Sequence, residues 1–195
     1  MRRIINIAVT FSLILWIGCG TTPPSYFYTL SATPAPAGTS SDLSVVVGPV
    51  TVPAIVDRPQ IVINTGANQV RFEEFNRWAS PLQNNISRVV ADNLMTLLGT
   101  TRVTLFTQTL NEEVNYRIAI EVQSFQSMPG ELAALDAVWT VRRTKDGKAS
   151  TLRTNVREAV QENSYAALAA AHSRALASLS RDIADAVRAL DRSGQ

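Results

Sequence analysis

Two periods of apolar residues divide the chain. Between Ser80 and Gly99, the residues Leu82, Ile86, Val89, Val90, Leu94, Leu97 and Leu98 recur at the spacing of one helix face. Ser80-Pro81 suits an N-cap followed by proline at the first helical position, where a missing N–H costs nothing. Gly99 suits a left-handed helix end. A second set opens at Asn163-Ser164 and runs to Leu190. Its members Tyr165, Leu168, His172, Leu176, Leu179, Ile183, Ala186 and Leu190 keep near-heptad spacing, and the interleaved alanines from 166 to 171 allow close backbone approach. This helix is expected to pack on the same sheet as the first, or on a copy of itself.

Elsewhere the period is two, or the run is short and β-branched. Leu43 to Val52 is apolar but interrupted by Gly48-Pro49, so the strand should end, bend or lie at an edge there. Gln60 to Asn64 reads as a short buried strand, and Gln69 to Phe75 as its hairpin partner across the turn residues 65–68. A strand over 102–107 follows the first helix, and a right-handed parallel crossover from the 69–75 strand is the default. The segments 114–125, 132–143 and 149–160 form a predicted antiparallel meander, its last turn marked by Asp146-Gly147. In the first of them Tyr116, Ile118, Ile120, Val122 and Ser124 share a face. Tyr26 to Leu30 has strong strand preference and should add an edge strand. The whole predicts an α+β fold, a mixed, largely antiparallel sheet of about six to seven strands with two amphipathic helices packed on it.

The start of the chain follows neither period. Arg2 and Arg3 precede an apolar run from Ile4 to Ile17, closed by Gly18-Cys19, which is the layout of a secretory signal peptide. At 14 residues the run is shorter than the ~20 needed to cross a bilayer as a helix. No Ala-x-Ala-like site precedes the mature region; a lone cysteine stands there instead. That arrangement resembles a bacterial lipobox, with Trp16 where leucine is usual, and the resemblance implies that Cys19 becomes the acylated first mature residue. Gly20 stands where an aspartate would favour retention in the inner membrane, so the outer membrane is the expected destination. Several acyl chains would anchor the chain firmly, since single chains bind only marginally. The expected organisation is a leader over 1–18, a lipid-anchored tether over 19–42 with one short strand at 26–30, and a single periplasmic domain over 43–195.

Charge and composition narrow the chemistry. The chain has 18 Lys plus Arg against 16 Asp plus Glu, but two of the basic residues lie in the leader, so the mature chain balances at zero. No polybasic surface for nucleic acid is expected. Cys19 is the single cysteine, which leaves the exported domain without disulfides, thiol catalysis or thiolate metal ligands. His172 is the single histidine and sits inside the apolar stripe of the second helix, where a packed, hydrogen-bonded ring is expected over a catalytic one served by Ser173 or Ser180 and Asp136. Phosphate-loop glycine patterns are missing from the sequence, and neither a metal nor a cofactor is expected. Glu112 and Glu113 read as a solvated turn.

The strings GPVTVPAIVDRPQIV (48–62) and FNRWASPLQNNISRVVADNL (75–94), with the tyrosine-rich segment after Cys19, resemble the PqiC-type lipoproteins, auxiliary components of ABC-type and MCE-type membrane-integrity transporters. The matching residues include Pro53, Asp57, Arg58, Pro59, Gln60, Asn76, Arg77, Trp78, Ala79 and Pro81. The chain departs at Ile55-Val56, where an aromatic-Leu pair is common. The resemblance implies a non-catalytic outer-membrane lipoprotein on the periplasmic face, docked on a periplasm-spanning MCE tunnel subunit and its inner-membrane permease, in a homo-oligomeric ring. It marks Pro53, Asp57, Arg58, Pro59, Asn76, Arg77 and Trp78 as candidate partner-binding positions. Trp78 is read as a core plug at the helix entry, and Arg77 as pairing with Glu73 or Glu74. The alternative is an independent periplasmic binding or envelope-assembly lipoprotein.

Overall fold

The computed structural model describes residues 22–33, 36–106 and 114–193. The leader and Cys19 lie outside the described residues. Eight strands and two helices follow in the order β1 (Tyr26–Tyr28), β2 (Val45–Thr51), β3 (Gln60–Gly66), β4 (Gln69–Trp78), α1 (Leu82–Leu98), β5 (Val103–Leu105), β6 (Tyr116–Met128), β7 (Leu132–Arg143), β8 (Ala149–Ala159) and α2 (Tyr165–Arg192).

The α+β class holds, with the strands divided between two sheets. A five-stranded sheet has the order β5-β2-β6-β7-β8, and a three-stranded sheet the order β1-β4-β3. The division falls at the segment from Pro53 to Pro59. Two prolines without N–H donors, with turns closed by Val56 N and Asp57 N on the Pro53 carbonyl, break the ladder and let the β3–β4 hairpin start a sheet of its own.

The predicted parallel crossover is present, but between different strands. β5 pairs in parallel with β2, and not with β4, because β4 already has β1 on one side and β3 on the other. The Gly48-Pro49 interruption bends β2 without ending it. The register shifts between Val47 and Val50, and the strand continues along β6 to Thr51, beyond its pairing with β5 at Val45 to Val47. At Gly48 the backbone has φ +120° and an added Cβ would lie 2.8 Å from Phe106 Cβ, so glycine is required there.

The antiparallel meander β6–β7–β8 is as the alternation predicts, apart from a bulge between Val122 and Ser124. The bulge inverts the phase of β6. Phe125 and Ser127 are buried and Ser124 is not, so the inward face reads Tyr116, Ile118, Ile120, Val122, Phe125, Ser127. The opposite face of the meander is polar and carries the Asp136–Arg153 pair, with Arg153 Nε donating to Asp136 Oδ1 at 2.7 Å.

Both helices cover the inward face, α1 over β2 and β5 and α2 over β7 and β8, and they also pack on each other. α2 therefore uses the same sheet as α1. Its N-cap is Ser164, whose Oγ accepts from Ala167 N at 3.1 Å. α1 starts one residue later than its sequence suggests. Pro81 is itself the N-cap, with ψ 134°, and Asn85 Nδ2 donates back to the Ser80 carbonyl at 3.2 Å. Its other end is the left-handed Gly99, φ 63° and ψ 36°.

β1 is an edge strand, parallel to β4. The chain beyond it is stitched into the helical layer. Leu30 is fully buried, Ser31 N bonds Ser173 Oγ of α2, and Thr33 N bonds Asn93 Oδ1 of α1. Further on, Gly38 N reaches Thr96 O, and Ser41 reaches Gly99 O and Leu98 O. This strap crosses both helices before β2 begins.

Candidate functional site

The turn-rich loop from Pro53 to Pro59 and the exit of β4 form the two walls of a concavity of about 350 Å³. Asp57, Arg58 and Pro59 line one wall; Trp78, Ala79, Ser80 and Pro81 line the other. A backbone bond from Trp78 N to Pro59 O, 2.7 Å, ties the walls together. Proline on both sides, at Pro59 and Pro81, keeps the rim stiff.

Trp78 forms the back of the concavity. It is the last residue of β4 and not a helix-entry residue, and it is 5% exposed. Its indole meets Phe125 and His172 edge-on, at centroid separations of 6.3 and 6.5 Å. Phe125 and His172 are themselves stacked, 3.8 Å apart at 10°. The core reading of Trp78 is correct, and the residue also lines the concavity.

Arg58 is held differently from its neighbours. Its guanidinium carbon lies 3.9 Å from the centroid of the Phe72 ring, a cation–π contact. The Nε is buried without a hydrogen-bond partner among the described residues. The hydrogen bonds of the adjacent Asp57 run through its backbone N–H to Pro53 O, at 3.2 Å. Pro53 lies outside the concavity and shapes it, accepting from both Val56 N and Asp57 N.

Asn76 and Arg77 are turned to another task. Asn76 Oδ1 accepts from Tyr28 OH at 3.0 Å and pairs in register with Tyr26. Arg77 pairs with Phe27 in the ladder, and its Nε donates to the Glu74 backbone carbonyl at 2.7 Å. The expected carboxylate pairing of Arg77 is absent from the described contacts; Arg71 takes Glu73, Nε to Oε1 at 2.7 Å. These two residues therefore fasten β1 to β4 and do not line the concavity. Tyr165 stands beside them, 5.9 Å from the Tyr28 ring, its hydroxyl pushed up to about 12 by burial and then by its bond to Glu73.

The residues considered for catalysis do not meet. His172 is fully buried and bonds Ser127 Oγ through Nε2 at 2.8 Å. Burial pushes its pKa down to about 3, so the ring is neutral. Ser173 and Ser180 donate to the helix carbonyls of Ala169 and Leu176, each at 2.8 Å, and Asp136 is paired with Arg153 on the far face of the sheet. No group of three or more His, Cys, Asp or Glu is placed to hold a metal ion among the described residues. Sequence reasoning missed Phe72 and Ser80. Phe72 lies within the predicted 69–75 strand, but nothing in that pattern shows that Arg58 reaches its ring.

Fold and concavity together define a two-layer α+β domain with a rigid, tryptophan-backed recess beside its smaller sheet. The chain belongs to the family described as ABC-type transport auxiliary lipoprotein component, whose model it matches over residues 28–184. Membership implies a membrane-anchored protein associated with a transporter. No helix of the described residues is long and apolar enough to cross a membrane. Among solved structures, it is similar to an uncharacterized protein at 19% identity and a TM-score of 0.69, covering 85% of this chain and 99% of that one. It is also similar to the protein XCC0632 from Xanthomonas campestris at 19% identity and a TM-score of 0.68, covering 87% of this chain and 99% of that one. No curated protein matches.

Proposed function

We propose that this chain is a non-catalytic outer-membrane lipoprotein that serves as the auxiliary subunit of an MCE/ABC-type lipid transport system and helps to keep the envelope intact. The family match over residues 28–184 carries the reading. In it, residues 1–18 are removed on export and Cys19 carries the acyl chains. The periplasmic domain, residues 43–195 with the β1 strand and strap packed onto them, docks on a tunnel subunit served by an inner-membrane permease. The domain works as one copy in a homo-oligomeric ring. Pro53, Asp57, Arg58, Pro59, Asn76, Arg77 and Trp78 shape the docking region, the first four and Trp78 around the recess, Asn76 and Arg77 at the β1 edge.

The geometry supports a short leash. Six residues separate Cys19 from Tyr26, and the seven extended steps between them reach ~25 Å at most. The domain would then stay close to the membrane that holds it.

The test is affinity purification of the full chain from its own cells after mild solubilisation. Co-purification of an MCE tunnel protein and permease is expected. Cys19→Ser should leave the fold intact and release the protein from the membrane fraction. Recovery of the unaltered chain without acylation, or without any transporter subunit, would overturn the reading.

A further inference from the structure

Asp57 and Arg58 are neighbours of opposite charge that line one recess, and neither makes an ion pair or a side-chain hydrogen bond among the described residues. The Arg58 Nε is buried with no acceptor, which normally costs free energy, and its guanidinium rests on the Phe72 ring. Pro59 lies beside the two charges, and Trp78, Ala79, Ser80 and Pro81 line the opposite wall.

We infer that this recess binds a small zwitterion with an apolar stem, its anionic oxygens received by Arg58, its ammonium by Asp57 and its carbon chain by Trp78 and the prolines. Charge complementarity selects this class. A plain anion would satisfy Arg58 but face the Asp57 carboxylate, and a plain cation would meet the reverse conflict. A zwitterion meets both partners at once. At about 350 Å³ the recess takes a head group and not a whole lipid. Within the lipid-transport reading, on which the source of the ligand rests, phosphoethanolamine is the matching head group. The same chemistry could also arrive as a free, tail-less phosphate ester.

The experiment titrates the full chain in dodecyl maltoside and follows the indole N–H resonance of Trp78, assigned with Trp78→Phe. Three probes are used: dihexanoylphosphatidylethanolamine, dihexanoylphosphatidylglycerol and glycerophosphoethanolamine. The ethanolamine lipid should bind about tenfold more tightly than the glycerol lipid, as one charge-assisted hydrogen bond allows. Asp57→Asn, whose side chain makes no described hydrogen bond, should keep the melting temperature and abolish that preference. Arg58→Gln should weaken all three probes. If glycerophosphoethanolamine binds as tightly as its lipid, the ligand is the free head group; if the tails add affinity, it is the lipid. Equal binding of the two lipids, or an unchanged preference in Asp57→Asn, would overturn the inference. Neither result bears on transporter co-purification, so this inference and the docking reading fail separately.

Discussion

Phe125 lies flat on His172, ring centroids 3.8 Å apart at 10°, and the two rings together form the floor on which Trp78 rests edge-on. An imidazole in that place has to stay neutral. Its pKa, pushed down to about 3 by burial, lies below the ordinary histidine value near 6.5. The unfolded chain therefore takes up a proton that the folded chain refuses. The resulting stability is complete above about pH 6.5 and is lost progressively as pH falls toward 3. Chemical denaturation at pH 7.5, 6 and 5 should show falling midpoints that His172→Gln flattens. A His172→Gln variant with an undiminished acid dependence over that range would place the sensitivity elsewhere.

Trp78→Ala removes the indole between the recess and the ring stack, and large-to-small changes of a buried aromatic cost about 3–5 kcal/mol. Its melting temperature should fall steeply, while Trp78→Phe recovers most of the loss. A mild effect of the alanine variant would mean that the indole is a surface feature.

The indole of Trp139 donates to Thr154 Oγ1 at 2.9 Å, and that hydroxyl donates on to Asp182 Oδ2 of α2 at 2.6 Å. One hydroxyl thus fastens the helix to the sheet, satisfying the buried Trp139 indole and reaching the exposed Asp182 carboxylate. Thr154→Val strands the buried Trp139 N–H and should cost about 1–3 kcal/mol, whereas Thr154→Ser should stay near wild type. Urea midpoints of the two variants test this directly.

Gly99 closes α1 at φ +63°, and an added Cβ would fall 2.3 Å from the Thr39 carbonyl oxygen of the strap. Gly99→Ala combines a left-handed backbone, ~1–2 kcal/mol for a residue with Cβ, with a clash against main chain. Hydrogen exchange should quicken at Gly38 and Ser41, whose amides bond Thr96 O and Gly99 O. Unchanged protection at both amides would show that the strap does not depend on the helix end.

What the sequence yields about this molecule follows from how local each signal is. Both helices, their apolar faces, the Gly99 end, the Ser164 cap and the β6–β7–β8 meander are set by residues close in the chain, and they stand as expected. The split into two sheets, the pairing of β5 with β2 and the phase inversion of β6 depend on which distant strand claims an edge and on one unpaired residue near Val122. A period cannot register that. The same distinction runs through the recess. Asp57, Arg58, Pro59 and Trp78 stand out as a string and do converge, but Asn76, from the same string, meets Tyr28 of β1, and Arg77 turns back onto the Glu74 carbonyl of its own strand. Phe72 enters only because the hairpin folds it under Arg58.

Leu30, entirely enclosed, sits two residues past the end of an edge strand that has only three residues of its own. Mechanical load applied ahead of Tyr26 therefore reaches the interior almost at once, through that side chain and through the bonds of Ser31 and Thr33 to both helices. A tug on the leading end strains the body of the protein and does not simply straighten a slack tail.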